Sequence, residues 1–327
     1  MQRNESWDSE SMHLVPVTNW HDWDSDLELS DQGSIFLKSS YLQLSGLADT
    51  ARFLSLHGKI VGGVVIPELT KSFEVTPIRD FATYQTLWLK SSSIENFREV
   101  QKRTKLMLCI GHLLRELEGA IQLSLHWSIS DVRGLDWAFF GQTDRNIRFV
   151  PRYSGILQFT DFLDFSDYFK SIASGRKSDY KASSTLSLSK SITTRAISEF
   201  MDLFEWTIPF ANSESKTRSL LEVRRIISGS LEDGTGTLWL ARNQVGEALS
   251  GIFIQEFAGN LYYQFGASTS HNLRVSPNAI LLLKIIEDGF ANNLKSFDFV
   301  GMNSPKRGAF KESFNPKPCL YFQVEIN

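Results

Sequence analysis

The feature that most constrains this chain is a faint internal repeat. Residues 52 to 66 read RFLSLHGKIVGGVVI, and residues 238 to 254 read LWLARNQVGEALSGIFI. Each is an alternating run, a turn and a β-rich apolar run, the pattern of strand, turn, strand. In each, a step of small residues, Gly62-Gly63 or Ser250-Gly251, stands directly before three apolar residues, Val64-Val65-Ile66 or Ile252-Phe253-Ile254. Two copies of one design about half a chain apart imply one fold used twice. A chain of 327 residues is long enough for two cores, and an apolar fraction of 42% with 24 Phe and 8 Trp can fill them. The expectation is an α/β protein of two tandem domains, with mixed sheets flanked by helices. The first domain is expected over residues 1–165; the second, over 166–327, includes a helical bridge.

Charge and composition exclude several classes. A formal net charge of −3 argues against broad affinity for nucleic acid or a membrane surface. The start, MQRNESWDSESMHL, is acidic and polar where a secretory leader needs a basic start and an apolar run, and the run AILLLKII is too short to span a bilayer. The expected location is the cytoplasm, without stable membrane insertion. Cys109 and Cys319 lie far apart, and none of the six histidines forms an HxH or HxxxH pair. Neither a disulfide nor a metal site is expected.

The coarse elements follow from periodicity. In SSSIENFREVQKRTKLMLCIGHLLRELEG, residues Leu106, Ile110, Leu113, Leu114 and Leu117 keep helical spacing, and AIQLSLHW and GILQF read as strands. The Ser-rich segment from Asp167 to Ile208 reads as the bridge, its cations Arg176, Lys177, Lys181, Lys190 and Arg195 forming either a basic face or a solvated helical surface. LYYQFGAS reads as a strand. Ser276 then offers an N-cap and Pro277 a first helical residue, and Ala279, Leu282, Leu283, Ile286 and Phe290 make one apolar face. KSFDFVG and CLYFQVEI are the last two strands. Between them FVGMNSPKRGAFKESFNP places Lys306, Arg307 and Lys311 among Phe299, Phe310 and Phe314, in a stretch read as a loop because of its Gly and Pro. Fixed cations on aromatic supports suit an anion or a developing negative charge.

The order YYQFGAS, SPNAILLLKIIEDGF, SFDFVGMNS, FKESF resembles the C-terminal domain of the FemABX and FemAB-like transferases, which carry two tandem domains of the GCN5-related N-acetyltransferase (GNAT) fold. Weaker likeness extends to IFLKSSYLQLSG, HGKIVGGVVIP and SLSKSITTRAI. The resemblance implies acyl transfer to an amine of a cell-envelope or polysaccharide precursor. The donor would be acyl-CoA or an aminoacyl-tRNA, used as a co-substrate with no tightly bound cofactor; the acceptor would be a small molecule, such as a nucleotide-linked sugar or a peptidoglycan precursor. The alternative it leaves open is a catalytically inert GNAT-fold protein that binds such a precursor.

By the same resemblance Lys311 matches the family position that meets the donor's carbonyl or terminal phosphate. Tyr263, on the strand where a splayed sheet would open, hydrogen-bonds the acceptor, relays a proton or simply packs. Asp298 is a base for the amine, a holder of Lys311, or a solvent-facing residue between two phenylalanines. Lys38 matches the region that meets the acceptor's phosphates. Phe310, Phe314, Arg307, Asn278, Arg274 and Ser268 complete the expected binding set. The glycine-rich pyrophosphate loop of simple acetyltransferases, R/Q-x-x-G-x-G/A, is absent between Gly266 and the following helix, where STSHNLRVSPN stands instead. No heptad-bearing insertion of the kind that forms a coiled-coil arm is present, which disfavours tRNA as donor.

Overall fold

The computed structural model describes residues 12–66, 82–90, 97–207, 213–269 and 274–327. The polar start, the SSSIEN segment and part of STSHNLRVSPN lie outside them. The chain forms two compact units: Met1–Arg152 together with Leu320–Asn327, and Tyr153–Cys319.

The first unit begins with β1 (Met12–Pro16), α1 (Trp20–Glu28) and α2 (Ser39–Leu44), followed by β2 (Ala51–Leu56), β3 (Lys59–Val65) and β4 (Leu87–Leu89). These strands form an antiparallel sheet in the order β1-β2-β3-β4. Then come α3 (Phe97–Glu116), β5 (Ile121–Ser124) and α4 (Arg133–Trp137). The core gathers Leu54, Val64 and Leu87 of the sheet with Met107, Ile110 and Leu114 of α3.

The chain passes between the units along β6 (Ile147–Gln158). The second unit continues with α5 (Phe165–Ser171), α6 (Ser174–Lys181), β7 (Ser187–Ser191), α7 (Thr194–Thr207), α8 (Ser213–Glu232), β8 (Gly236–Arg242), β9 (Ala248–Phe257), β10 (Asn260–Ser268), α9 (Pro277–Ala291), β11 (Ser296–Asp298) and α10 (Pro305–Glu312). The final strand, β12 (Lys317–Ile326), ends paired antiparallel to β5 in the first unit. Within the second unit the strand order is β6-β11-β10-β9-β8-β7, with β10 and β11 parallel and the other pairs antiparallel. Among the described residues no helix is long and apolar enough to cross a membrane.

Two expectations change at the element level. The Ser-rich bridge contains a strand: Ser187–Ser191 pairs with β8 from Arg242 to Leu238. The basic stretch contains a helix, α10, opened by Pro305 as α9 is opened by Pro277, although Ser304, unlike Ser276, makes no side-chain cap bond. Gly308 stands in that helix because a Cβ there would lie 2.6 Å from the Met302 carbonyl oxygen. Nor does α9 bury a single face. Ile280, Leu281 and Ile285 are as buried as Ala279, Leu282, Leu283 and Ile286, because the helix is sunk between the sheet and α5–α6.

The repeated small step has a physical cause. A Cβ on Gly63 would lie 2.4 Å from Trp88 Nε1 and 2.5 Å from the ring of Trp23, which α1 lays across the hairpin. A Cβ on Gly251 would lie 2.5 Å from the ring of Phe200, which α7 lays across the other hairpin. In both units an aromatic side chain from the earlier of two preceding helices, α1 or α7, rests on the glycine of the second hairpin strand. Gly63→Ala and Gly251→Ala are each expected to cost about 1–3 kcal/mol by overpacking a rigid ring. Gly175→Ala, with open space at its Cβ, should stay within about 0.5 kcal/mol. Urea denaturation of the three variants measures this.

Candidate active site

Among the described residues of the second unit, the sheet opens where β10 parts from β11. β10 and β11 pair in parallel at only three positions, Asn260↔Ser296, Leu261↔Phe297 and Tyr262↔Asp298. Beyond Tyr262, β10 continues along β9 to Ser268, with a register irregularity between Tyr263 and Phe265, while the other chain turns away after Asp298. Parallel strands that part at their carboxyl ends leave a crevice in which an α/β sheet binds ligands.

The turn that leaves β11 is held on all sides. Val300 and Gly301 have φ of 50° and 77°, and a left-handed β-branched residue persists only where its surroundings impose it. The Val300 N–H donates to Asp298 Oδ1 at 2.7 Å, the Gly301 N–H to Ser154 Oγ at 3.1 Å, and Ser154 Oγ to Asp298 Oδ1 at 2.6 Å. The three carbonyls of the turn converge on one ammonium: Lys311 Nζ, from α10, donates to the oxygens of Phe299, Val300 and Gly301 at 2.5, 2.9 and 2.7 Å. Lys311 is only 9% exposed. Burial lowers its pKa to about 8, with Asp298 pulling it up and Arg307 pushing it further down. Its three N–H bonds are all directed at backbone.

Lys311 also lies 5.4 Å from the centre of the Tyr263 ring, the range of a cation–π contact. The Tyr263 hydroxyl donates to Asn278 Oδ1 at 3.3 Å, Asn278 Nδ2 to Ser250 Oγ at 3.3 Å, and Ser250 Oγ to the Ala267 carbonyl at 2.8 Å. Ser268 Oγ lies 3.0 Å from Ser250 Oγ. Burial raises the Tyr263 pKa to about 12, so its hydroxyl keeps its proton at neutral pH. The hydroxyl lies over Gly266, where a Cβ would stand 1.9 Å away.

A layer of rings supports this cluster. Phe314 is fully buried, 5.7 Å from the Phe299 ring and 5.2 Å from the half-buried Phe310. The Tyr168 hydroxyl donates to the Phe314 carbonyl at 2.8 Å. The Arg176 guanidinium lies 5.4 Å from the Phe310 ring centre and 5.8 Å from that of Phe314. Its Nη1 is 3.2 Å from Asp179 Oδ2, and Asp179 Oδ1 accepts the Ser276 N–H at 2.9 Å, tying α6 to the start of α9.

Eight of the expected residues thus stand in this unit around the opening: Lys311, Tyr263, Asp298, Asn278, Ser268, Phe310, Phe314 and the exposed Arg307. Asp298, at 3% exposure, points inward between its phenylalanines and not to solvent, because Ser154 and Val300 hold its carboxylate. Arg274 is exposed just ahead of α9. Lys38 belongs to the first unit, half-buried, its carbonyl accepting the Leu42 N–H at the start of α2. The five cations of the bridge do not make one face: Arg176 covers rings, Lys190 pairs with Asp288 and sits over Trp239, and Arg195 pairs with Glu199. Ser154, Arg176, Asp179 and Ser250 were not marked in the sequence as site residues. Only Ser250 had a signal, its place in the repeated small step. Among the described residues no group of three His, Cys, Asp or Glu side chains gathers as metal ligands would.

Residues 191–312 match the family of acetyltransferase (GNAT) domains, the span that holds most of this cluster. No curated protein sequence matches the chain. Among solved structures, FemX is similar over 93% of this chain and 95% of its own, at 10% identity and a TM-score of 0.60. A conserved protein of unknown function from Bacteroides thetaiotaomicron VPI-5482 is similar over 96% and 99%, at 12% identity and a TM-score of 0.55. L-PGS from Bacillus licheniformis is similar over 95% and 92%, at 11% identity and a TM-score of 0.51. Such identities carry the fold. The chain thus has the fold of FemX over nearly its whole length, with a matched acetyltransferase (GNAT) domain at residues 191–312.

Proposed function

We propose that this protein transfers an acyl or aminoacyl group to an amine of a cell-envelope or polysaccharide precursor, in the cytoplasm, where both kinds of activated donor are made. The observation that carries the reading is the parting of β10 from β11 at Tyr263, beside the matched acetyltransferase sequence. In the reaction a neutral amine attacks the carbonyl carbon of an ester or thioester. The C–N bond forms, negative charge grows on the carbonyl oxygen, the alkoxide or thiolate leaves, and the amine's proton passes to solvent or to the leaving group. The Tyr263 hydroxyl, protonated at neutral pH, meets that oxygen by turning its single O–H from Asn278. Lys311 acts from behind it: a fixed charge over the phenol ring makes the O–H a stronger donor, and the same ammonium holds the turn that forms the other wall. Asp298 positions that turn. Arg274 and Arg307 are assigned to the phosphates of donor or acceptor.

A second reading, a binding protein that kept the fold without turnover, is favoured by one fact: the three N–H bonds of Lys311 are already taken by carbonyls. Turnover decides between them. Purified protein is incubated with acetyl-CoA, or with charged bulk tRNA, and with UDP-linked amino sugars and muramyl peptides, and products are read by mass spectrometry. Transfer is expected with one donor class, and Tyr263→Phe should lower kcat/KM ten- to a hundredfold with little change in stability. Binding of a precursor without transfer from either donor class would establish the second reading.

A further inference from the structure

The first unit holds a cavity of about 250 Å³ at the end of β4, between the β2–β3 hairpin and the first turns of α3. Its walls are mostly apolar, with Leu56, Val61, Leu89 and Leu106 forming the body. Arg103 of α3 lines the same cavity. Among the described residues its guanidinium makes no hydrogen bond and no ion pair, although its Nη2 is fully buried. The neighbouring cations differ: Lys102 is paired with Glu99 at 2.8 Å, and Lys90 with Asp26 at 2.8 Å. Asp31 and Asp131 are near enough to favour the charge on Arg103, yet burial outweighs them and lowers its pKa. A guanidinium with no carboxylate or carbonyl partner at a cavity wall keeps its other N–H groups for a bound anion. An apolar pocket with a few convergent polar groups is the usual form of a small-molecule site.

We propose that this cavity binds a small carboxylate with a short aliphatic tail, the carboxylate accepting from Arg103 and the tail lying against Leu56, Val61, Leu89 and Leu106. Arginine suits the head because its planar fork matches a carboxylate. The volume suits a tail of several carbons. Gln32, which closes one side, is spent internally: its Nε2 donates to Ser128 Oγ at 3.2 Å, and its Oε1 accepts the Leu89 N–H at 3.0 Å. Asp31, Lys90, Glu99 and Lys102 also line the cavity, the last three of them ion-paired, so among the described residues Arg103 is the cation left to anchor a ligand. The site belongs to the first unit, and its test reads binding, so it stands or falls independently of the transfer reaction.

Calorimetric titration of the full chain with octanoate, with octanol and with inorganic phosphate separates head from tail. Octanoate is expected to bind with a Kd below about 1 mM, at least tenfold tighter than either probe that carries half of its chemistry. Arg103→Met should weaken octanoate at least tenfold, whereas Lys102→Met should change it less than twofold. Leu106→Asp, which puts a charge against the apolar tail, should abolish binding while circular dichroism shows the fold retained. Absence of octanoate binding would overturn the proposal, as would equal binding of phosphate or an unchanged affinity in Arg103→Met.

Discussion

Replacing Lys311 with Met is expected to destabilise the second unit by about 3–5 kcal/mol, the cost of removing one partner of a buried charged network. The size follows from what the ammonium touches. Met fills the volume of the stem but leaves the carbonyls of Phe299, Val300 and Gly301 facing apolar atoms, and each buried acceptor left unmade costs on the order of 1 kcal/mol or more. The left-handed backbone at Val300 then loses what holds it. Lys306→Met, at an exposed position of the same helix, should change stability by no more than about 0.5 kcal/mol. A lysine in a loop, with a solvated head on a packed stem, would lose no more than about 1 kcal/mol. Burial reverses that expectation. Guanidinium denaturation followed by tryptophan fluorescence measures both variants, and a loss under 1 kcal/mol for Lys311→Met would mean that water reaches the three carbonyls.

What could be read in the sequence was what depends on local pattern. The two hairpins announced themselves because a glycine pressed by a ring leaves a trace in the chain, Gly63 under Trp23 and Gly251 under Phe200. The start of α9 was legible from Ser276-Pro277, and the strands β10 and β11 from their apolar runs. The same Ser-Pro signal at Ser304-Pro305 was overlooked, because Gly308 and the run of cations look like loop chemistry until the helix is seen lying against the Met302 carbonyl. Ser187–Ser191 was overlooked because four of its five residues are polar; it is a strand through its ladder with β8, and an edge strand owes little to its own composition. The site was half legible. Sequence position picked out Lys311, Tyr263 and Asp298 but could not show where an ammonium points, since that depends on carbonyls ten to twelve residues away that face inward only because Val300 and Gly301 take left-handed φ. Ser154 and Asp298 are 144 residues apart, a contact with no local signature.

Gly266→Ala tests whether the opening beside Tyr263 is where chemistry occurs, and it is expected to lower transfer by about a hundredfold or more. A Cβ at this position would stand 1.9 Å from the Tyr263 hydroxyl and 2.7 Å from its ring carbon, so the ring must swing away from the strand. Backbone conformation does not oppose the change, because Gly266 is not among the residues with positive φ; the perturbation is therefore carried by the tyrosine. Displacement breaks the hydroxyl's bond to Asn278 and takes the ring off the Lys311 ammonium. Misplacing a catalytic donor by about 1 Å is enough for an effect of this size. The double variant Gly266→Ala/Tyr263→Phe distinguishes this mechanism from a general loosening of β10. If both changes act through one hydroxyl, their effects on kcat/KM fall well short of additive. If Gly266→Ala instead distorts the wall of the crevice, the two losses multiply, and the role assigned to Tyr263 fails. A Gly266→Ala protein with full activity would place the chemistry elsewhere in the chain.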